Sequence, residues 1–432
     1  MRRLTAEPCR TVLAAGLALV AATAFLASSS GAAGQARAPA ATAFQGARLI
    51  PGDGRPAIEN ATFLVQGTRF AAVGRTGDVQ IPNGATRVDL AGKTVMPAII
   101  DTHTHLSRTR EALVEDLRRR AYYGVGLAMS LGHDTGDAPF QVRHETIPDA
   151  ARYRTAGRGI TTPEPGRTDI PYWITSPADA RKAVQELAAM KVDLVKIWVD
   201  DRGGKYKKLT PDLYVAVIDE AHRHELRVTA HIFSLDDAKG LLRAGIDAFA
   251  HGVRDRDIDE EMVALVKERP NVVLVPNLPD RGVATDPGWL RDGIPAAELQ
   301  KLQAAATDRP EAQKGFAIQA RNLVALSKAG MRIALGTDGN TPWAPHVEMA
   351  DMVAAGMTPA QVIVAATRNS ADLLELRDAG TMEAGKSADF LVLDANPLDD
   401  ITHTRRIANV YLRGAAVDRA ALRARWTGQP SQ

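Results

Sequence analysis

Between residues 95 and 337 the sequence alternates short apolar runs with longer helical stretches, and this alternation limits the folds open to the chain. The pattern is typical of parallel βα units, because a helix has to carry the chain back between parallel strands. Eight such units predict an α/β fold of the (β/α)8 TIM-barrel type. The eight candidate strands cover residues 95–101, 126–131, 154–159, 194–199, 228–232, 248–251, 272–276 and 333–337.

The two flanks of this region have a different pattern. Residues 43–95 alternate apolar and polar positions around turn dipeptides such as Asp53-Gly54, which predicts short antiparallel strands. Short apolar runs that begin at Leu391 and Val410 are their expected partners. We therefore predict a small β-sandwich domain built from both ends of the chain. Its two parts are residues 42–95 and 379–420. The barrel lies between them at residues 96–378, and a C-terminal tail follows at residues 421–432.

The first residues form a separate segment. Arginines 2, 3 and 10 precede an apolar run over residues 11–27 and a stretch of small residues, which is the pattern of a secretory signal peptide. We expect a signal peptide at residues 1–33, a linker at residues 34–41, and a secreted or periplasmic protein without stable membrane association after cleavage. An uncleaved membrane anchor stays open, because the apolar run is long for a signal peptide.

Composition excludes several classes of protein. The 432 residues, 45% of them hydrophobic, suffice for one large barrel with an accessory domain. The net charge of +2 does not indicate a nucleic-acid or membrane-surface partner. The one cysteine, Cys9, would leave with the signal peptide, so the mature protein would have no disulfide and no thiolate ligand. The sequence leaves open whether the protein is a homo-oligomer.

His103 and His105 follow the first apolar run and indicate a metal centre. Residues two apart on an extended segment share a face, so both imidazoles can reach one ion. Other polar residues at the ends of later runs are expected at the same face, because the carboxyl ends of barrel strands meet there. These are Lys196, His231, His251 and Asp338. Four imidazoles, an amine and a carboxylate suit two divalent ions, and the imidazole-rich set favours zinc.

A second pair with the same spacing, His222 and His224, serves as an internal comparison. It lies in a predicted helical stretch, where residues two apart point about 200° away from each other. We predict that this pair lies on the solvated surface and binds no metal.

From residue 41 to residue 420 the chain resembles the amidohydrolase superfamily. Binuclear members carry His-x-His on strand one, Lys on strand four, His on strands five and six, and Asp on strand eight, and all six positions are present here in order. The stretch from Gly380 to Asp394 is similar to the strand pair that closes the small β domain of these enzymes. The motif His346-Val-Glu348-Met is most similar to the imidazolonepropionase and Xaa-Pro dipeptidase branch.

The resemblance implies roles for the six residues. His103 and His105 would bind one ion and His231 and His251 the other, with Lys196 bridging both as a carbamate. Asp338 would be the metal-proximal catalytic residue that accepts a proton from the attacking water and passes it to the leaving group.

The resemblance also implies a small-molecule substrate whose C–N bond is hydrolysed, such as an N-acyl amino acid, a dipeptide or a cyclic amide. A lactonase or an organophosphate esterase would use the same metal site, and a non-catalytic barrel homologue is the alternative from another class. A tyrosine expected shortly after the strand-five histidine in the dipeptidase branch is absent, since Phe233 stands there. The candidate substrate contacts are His133, Arg167, Trp343 and His346, followed by Arg158 and Phe233. A long segment after strand seven, residues 278–308, is expected to form a lid or a substrate wall.

Overall fold

A computed structural model of the protein describes residues 41–428. The predicted signal peptide, nearly all of the predicted linker and the last four residues lie outside this range. The strands are β1 Ala41–Leu49, β2 Ile58–Gln66, β3 Arg69–Arg75, β4 Thr86–Asp89, β5 Thr94–Pro97, β6 Ile99–Thr104, β7 Val125–Ser130, β8 Arg152–Thr155, β9 Ile160–Thr161, β10 Tyr172–Trp173, β11 Val195–Val199, β12 Val228–Ile232, β13 Ala248–Ala250, β14 Val273–Val275, β15 Arg332–Ile333, β16 Phe390–Leu393, β17 Ile407–Leu412 and β18 Ala415–Ala416.

The helices lie mainly between these strands. The α-helices are α1 Arg110–Tyr122, α2 Ala138–Val142, α3 Pro177–Ala189, α4 Pro211–Arg223, α5 Leu235–Ala244, α6 Glu260–Glu268, α7 Ala296–Ala305, α8 Pro310–Lys328, α9 Ala344–Ala355, α10 Pro359–Val364, α11 Ser370–Leu373 and α12 Arg419–Thr427. Two 3₁₀ turns, Pro287–Leu290 and Ile401–Arg405, and one π-helical turn, Ala365–Asn369, complete the described elements. Most of the predicted C-terminal tail is therefore helical. In the described part of the chain, no helix combines the length and apolar character needed to cross a bilayer.

One sheet contains strands from both ends of the described chain. Its order is β18-β17-β16-β5-β1-β2-β3, with β4 and β5 pairing with successive parts of β1. In a flat sheet, four strand spacings of about 4.8 Å would separate β3 from β16 by roughly 19 Å. The rings of Phe70 on β3 and Phe390 on β16 are only 5.8 Å apart. The predicted sandwich is therefore a single sheet that curls around an aromatic core.

Parallel strands form two further sheets, in the orders β6-β7-β8 and β10-β9-β11-β12-β13-β14-β15. Backbone hydrogen bonds join the two sheets at both edges. Thr102 N donates to Leu335 O at 2.9 Å on one side, and Asp193 N donates to Thr155 O at 2.9 Å on the other. Each of the eight predicted strand regions overlaps a strand, although 154–159 and 333–337 do so only at their first residues. The first region differs in one respect, because residues 94–97 pair within the curled sheet and only residues 99–104 join the parallel strands.

Both faces of these parallel strands are buried. On β7, Leu127 and Met129 belong to an inner apolar cluster that also contains residues of β13 and β14. Ala128, which lies between them, packs in the larger cluster that contains the helices, and so does Val125 at the start of the strand, where the pairing with β6 is irregular. Burial on both faces explains why the strands read as continuous apolar runs rather than as alternating ones.

The curled sheet gives a first test of how the small domain is stabilised. Phe390 is fully buried, whereas Phe233 is 46% exposed. We expect Phe390→Ala to lower the free energy of unfolding by about 3 to 5 kcal/mol, since it leaves a cavity among packed rings. Phe233→Ala, the matched control, should change it by about 0.5 kcal/mol or less. Urea denaturation of both variants checks this, and equal stabilities would contradict the assigned core.

Candidate metal centre

The side chains of His103, His105 and Asp338 meet at the carboxyl ends of the first and last parallel strands. Asp338 Oδ1 lies 2.9 Å from His105 Nε2 and 3.1 Å from His103 Nε2. One ligand atom from each residue fits within a group whose members are all within 4.8 Å of one another. The Asp338 side chain is 38% exposed, so the group is open to solvent on one side.

His251 and His231 extend this group. His251 Nε2 lies 3.4 Å from Asp338 Oδ2. The ring centroids of His103 and His251 are 5.2 Å apart, and those of His251 and His231 are 4.6 Å apart. The four predicted histidine ligands therefore form one continuous cluster.

Neighbouring polar groups determine which ring nitrogens are available to a metal. His103 Nδ1 is 3.0 Å from Asn277 Oδ1, an acceptor that requires the proton on Nδ1 and leaves the Nε2 lone pair free. His231 Nε2 is 2.9 Å from Asp200 Oδ2, which in the same way leaves Nδ1 free. A carboxylate or carbonyl behind an imidazole is the usual support of a metal-binding histidine. Arg202 Nη1 also lies 3.2 Å from His231 Nε2 and pairs with Asp200 at 2.8 Å.

Lys196 is the sixth predicted ligand. Its side chain is fully buried, and Nζ has no hydrogen-bond partner in the described part of the chain. Burial is the main cause that lowers its pKa to about 7, with smaller contributions from Arg254 and Arg202. Glycines make room here, since a Cβ on Gly159 would lie 2.0 Å from the Trp198 ring and one on Gly132 would lie 3.0 Å from Lys196 Cγ. A buried amine without an acceptor fits a position that is chemically modified or holds a ligand.

The other protonation states follow from burial and neighbouring charges. Burial lowers the pKa of His103 to about 4, and Lys196 adds to this effect. Burial alone would raise the pKa of Asp338, but the adjacent histidines His103 and His105 reverse the effect and hold that pKa far below its usual range. Near neutral pH His103 is therefore a neutral imidazole and Asp338 a carboxylate, which are the forms that bind divalent ions.

Backbone strain is concentrated at the same strand ends. His251, Asn277 and Asp338 have φ angles of 119°, 43° and 54°. A residue other than glycine in such a conformation costs on the order of 1 to 3 kcal/mol and persists where the surroundings impose it.

Two buried residues that the sequence analysis did not single out support this geometry. Asp101 Oδ2 accepts hydrogen bonds from Arg120 Nη1 at 2.9 Å and from Thr337 Oγ1 at 2.8 Å, while Arg120 Nη2 donates to Gly339 O at 2.9 Å. The two charged side chains are fully buried. The signal for Asp101 was present, because it precedes His103 by two residues and so shares its face of the strand.

The candidate substrate contacts differ in where they lie. His133 Nδ1 is 3.0 Å from His105 Nδ1, so this ring joins the cluster. Burial is the main cause that lowers the pKa of His133 to about 4. Arg167 is connected less directly, because it pairs with Glu164, which also pairs with Arg202 beside His231.

Two other candidates, His346 and Trp343, lie in a different environment. His346 is buried, with Nδ1 3.0 Å from Thr404 Oγ1 and Nε2 2.8 Å from Tyr123 O. Trp343 packs against Tyr123, with ring centroids 5.8 Å apart. The structure gives no support to a substrate-binding role for His346, since both of its ring nitrogens have partners.

The two weaker candidates for substrate contact, Arg158 and Phe233, have different surroundings. Arg158 lies over the ring of Tyr172 at 4.1 Å and donates to Ile170 O. Phe233 is the exposed residue after β12. His222 and His224, the second pair with the same spacing as His103 and His105, lie on the surface at the end of α4. His222 Nε2 is 2.8 Å from Asp247 Oδ2, and His224 caps the carboxyl end of the helix.

Sequence and structure comparisons relate this chain to known proteins. The sequence model of the Amidohydrolase family matches residues 94–417. The chain is 26% identical to ochratoxinase of Aspergillus niger, covering 82% of this chain and 81% of the relative. It is also 26% identical to imidazolonepropionase of Deinococcus radiodurans, covering 83% and 92%. The crystal structure of a putative prolidase from Bifidobacterium longum superposes with a TM-score of 0.72 at 26% identity, covering 91% of this chain and 97% of that one.

The Asp101–Arg120 ion pair leads to a stability prediction. Arg120→Met would leave the carboxylate of Asp101 buried without its partner, at a cost of about 3 to 5 kcal/mol in the free energy of unfolding. Arg118→Met, on the same helix and without an ion-pair partner among residues 41–428, should cost about 0.5 kcal/mol or less. Chemical denaturation of the two variants measures the difference. Equal stability would show that the pair does not support the strand ends.

Proposed function

Because this chain belongs to the amidohydrolase family, a family of hydrolases that use divalent metals, we propose that it is a binuclear enzyme cleaving an amide or peptide C–N bond of a small substrate. The observation that best supports the proposal is the cluster in which the imidazoles of His103, His105 and His251 surround the carboxylate of Asp338, with His231 packed against His251. The fully buried amine of Lys196, which has no hydrogen-bond partner within residues 41–428, supports a second ion.

We infer that the parallel strands form one closed (β/α)8 barrel. Hydrogen bonds at both edges of the two sheets support closure, and so does the inner apolar cluster contributed by several strands. In such a barrel the carboxyl ends of the strands carry the active site. Five of the six ligand candidates lie at or just beyond such ends, and Lys196 lies in the first half of β11.

In this proposal His103 and His105 would hold one ion, and His231 and His251 would hold the other. Lys196 would serve as a further anionic ligand once its neutral amine has added to carbon dioxide: the Nζ–C bond forms, one C–O π bond opens, one N–H proton leaves to solvent, and a carbamate remains. A pKa near 7 makes the neutral amine available at neutral pH. Two divalent ions, with zinc favoured by the ligands, would lower the pKa of water and polarise the scissile carbonyl.

Asp338 would move the proton during hydrolysis. One of its carboxylate oxygens takes a proton from the attacking water, and the same oxygen returns it to the nitrogen of the leaving amine as the C–N bond breaks. The products are a carboxylic acid and an amine. The backbone N–H of Asp338, which donates to His103 O at 2.8 Å, holds this residue beside the histidines for both transfers.

The expected substrate is an N-acyl amino acid, a dipeptide or a cyclic amide. Two similar proteins are named as hydrolases, ochratoxinase and imidazolonepropionase, and a similar fold belongs to a putative prolidase. Thr337, next to Asp338, lines a cavity of about 260 Å³ together with Leu278 and Glu348. This size suits a small molecule. We also propose that the protein acts after secretion, as a secreted or periplasmic enzyme, which sequencing the N-terminus of the mature protein would test.

Metal content tests the binuclear centre directly. Protein loaded in the presence of bicarbonate should hold about two divalent ions per chain, measured by elemental analysis. His103→Ala and Lys196→Met should each hold fewer, while His222→Ala should hold as many as the wild type, because His222 lies on the surface of α4. Native mass spectrometry should detect the added carbon dioxide on the wild type and not on Lys196→Met. Equal metal content in all four proteins would contradict the ligand assignment.

Catalysis tests the role of Asp338. Asp338→Asn removes the proton acceptor and should lower kcat about 10²- to 10⁴-fold, with the protein still folded. The substrate panel contains N-acyl amino acids, dipeptides, cyclic amides, lactones and phosphotriesters. Turnover confined to lactones or phosphotriesters would favour the lactonase or esterase alternative. A metal-loaded wild type that cleaves none of these classes would favour a non-catalytic barrel.

A further inference from the structure

A second polar cavity, of about 290 Å³, is lined by the C-terminal helix α12, the turn before β17 and the segment after β14. We call it the arginine cavity, because four arginines line it. They are Arg405, Arg406, Arg419 and Arg423. The proposed hydrolase reaction uses none of these residues.

Positive charge in the arginine cavity exceeds negative charge. The carboxylates in its lining are Asp292 and Asp394, and Asp394 already pairs with Lys93 at 2.6 Å. Within residues 41–428, none of the four arginines forms an ion pair, although many other arginines of the protein do. Like charges gathered around one cavity repel each other unless an anion lies between them.

Hydrogen-bond donors without acceptors line the same cavity. The hydroxyl of Tyr123 and the Nε atoms of Arg405 and Arg423 are all buried and have no partner among the described residues. The Tyr123 side chain is only 5% exposed. Arginine Nε atoms also lack a partner at other places in the described chain, such as Arg143 and Arg254, whereas Tyr123 has the one tyrosine hydroxyl without a partner there. Buried donors are nearly always satisfied in folded proteins, so this hydroxyl beside two such arginines indicates a missing acceptor in the cavity. A single oxyanion offers several acceptor oxygens and negative charge at once.

Two of the guanidinium groups are held in position before any ligand arrives. Arg405 lies over the ring of Trp289 at 4.6 Å, and Arg419 lies over the ring of Tyr122 at 4.5 Å. Arg419 also donates to Ile407 O at 2.6 Å and to Tyr122 O at 3.0 Å. Groups that are already ordered lose little entropy on binding, which favours affinity.

We propose that the arginine cavity binds a small multivalent oxyanion of the phosphate type, at a site separate from the metal centre. A tetrahedral dianion matches the surplus charge, the unsatisfied donors and the size of the cavity. Bound there, it would connect α12 with the segment that carries Trp289, the region expected from the sequence to form a lid. The anion would therefore stabilise the folded protein.

Isothermal titration calorimetry of the metal-loaded, full-length protein with inorganic phosphate tests the proposal, with ionic strength held constant by sodium chloride. We expect one site per chain, weakened at least tenfold by Arg423→Met. Arg425→Met is the matched control on the same helix, since Arg425 is exposed and pairs with Glu115 at 3.1 Å instead of lining the cavity. Glycerol phosphate in a parallel titration distinguishes a phosphate ester from the free ion as the preferred ligand.

Thermal denaturation tests whether the Arg423→Met variant is folded. In chloride alone, Arg423→Met should unfold cooperatively, and phosphate should raise the Tm of the wild type and Arg425→Met but not that of Arg423→Met. Phosphate binding that chelator treatment abolishes and that Arg423→Met leaves intact would place the anion at the metal centre and overturn the proposal. A phosphate effect no different from that of chloride would overturn it as well. Neither result bears on the hydrolase activity, which is measured separately.

Discussion

The buried ion pair between Asp101 and Arg120 holds together the two segments on which the candidate metal centre depends. Asp101 lies two residues before His103, and its carboxylate binds both Arg120 and the hydroxyl of Thr337. Arg120 in turn donates to the carbonyl of Gly339, so the ion pair contacts both residues that flank Asp338 in the sequence. Both charges are fully buried, and each is tolerated only because the other is present. The first and last ligand-bearing segments are thereby held in one arrangement.

Burial also determines the chemistry of the ligands themselves. It lowers the pKa of His103 to about 4 and that of Lys196 to about 7, which keeps nitrogen lone pairs available near neutral pH. The oxygens of Asn277 and Asp200 accept hydrogen bonds from the rings of His103 and His231. These bonds then determine which nitrogen of each ring faces the candidate centre. Desolvation of these groups and the strained backbone at Asp338 lower the stability of the folded protein, and the free energy of metal binding would offset this loss.

Local patterns predicted much of the fold and of the metal centre. The apolar runs overlap eight of the ten parallel strands, and the four histidines and Asp338 converge. Lys196 Nζ has no hydrogen-bond partner among the described residues, but its charge interacts with His103 and Asp338. His346 shows the limit of this reasoning. It follows the last parallel strand, as a site residue would, yet its ring points to Thr404, which lies 58 positions further along the chain. Position after a strand does not determine the direction in which a helical side chain points.

The sequence by itself determined the alternation of strands and helices, the order of the six ligands and the family, because each depends on residue type at local spacing. Only the tertiary structure decided which groups support them. The Asp101–Arg120 pair, the contact of His231 with Asp200 and the curl of the eight-stranded sheet all join separate elements. The arginine cavity shows this most clearly, since Tyr123 and Arg423, which lie 300 positions apart in the sequence, both line it. Charge balance and hydrogen-bond satisfaction depend on neighbours in space, and those are defined only when the chain is folded.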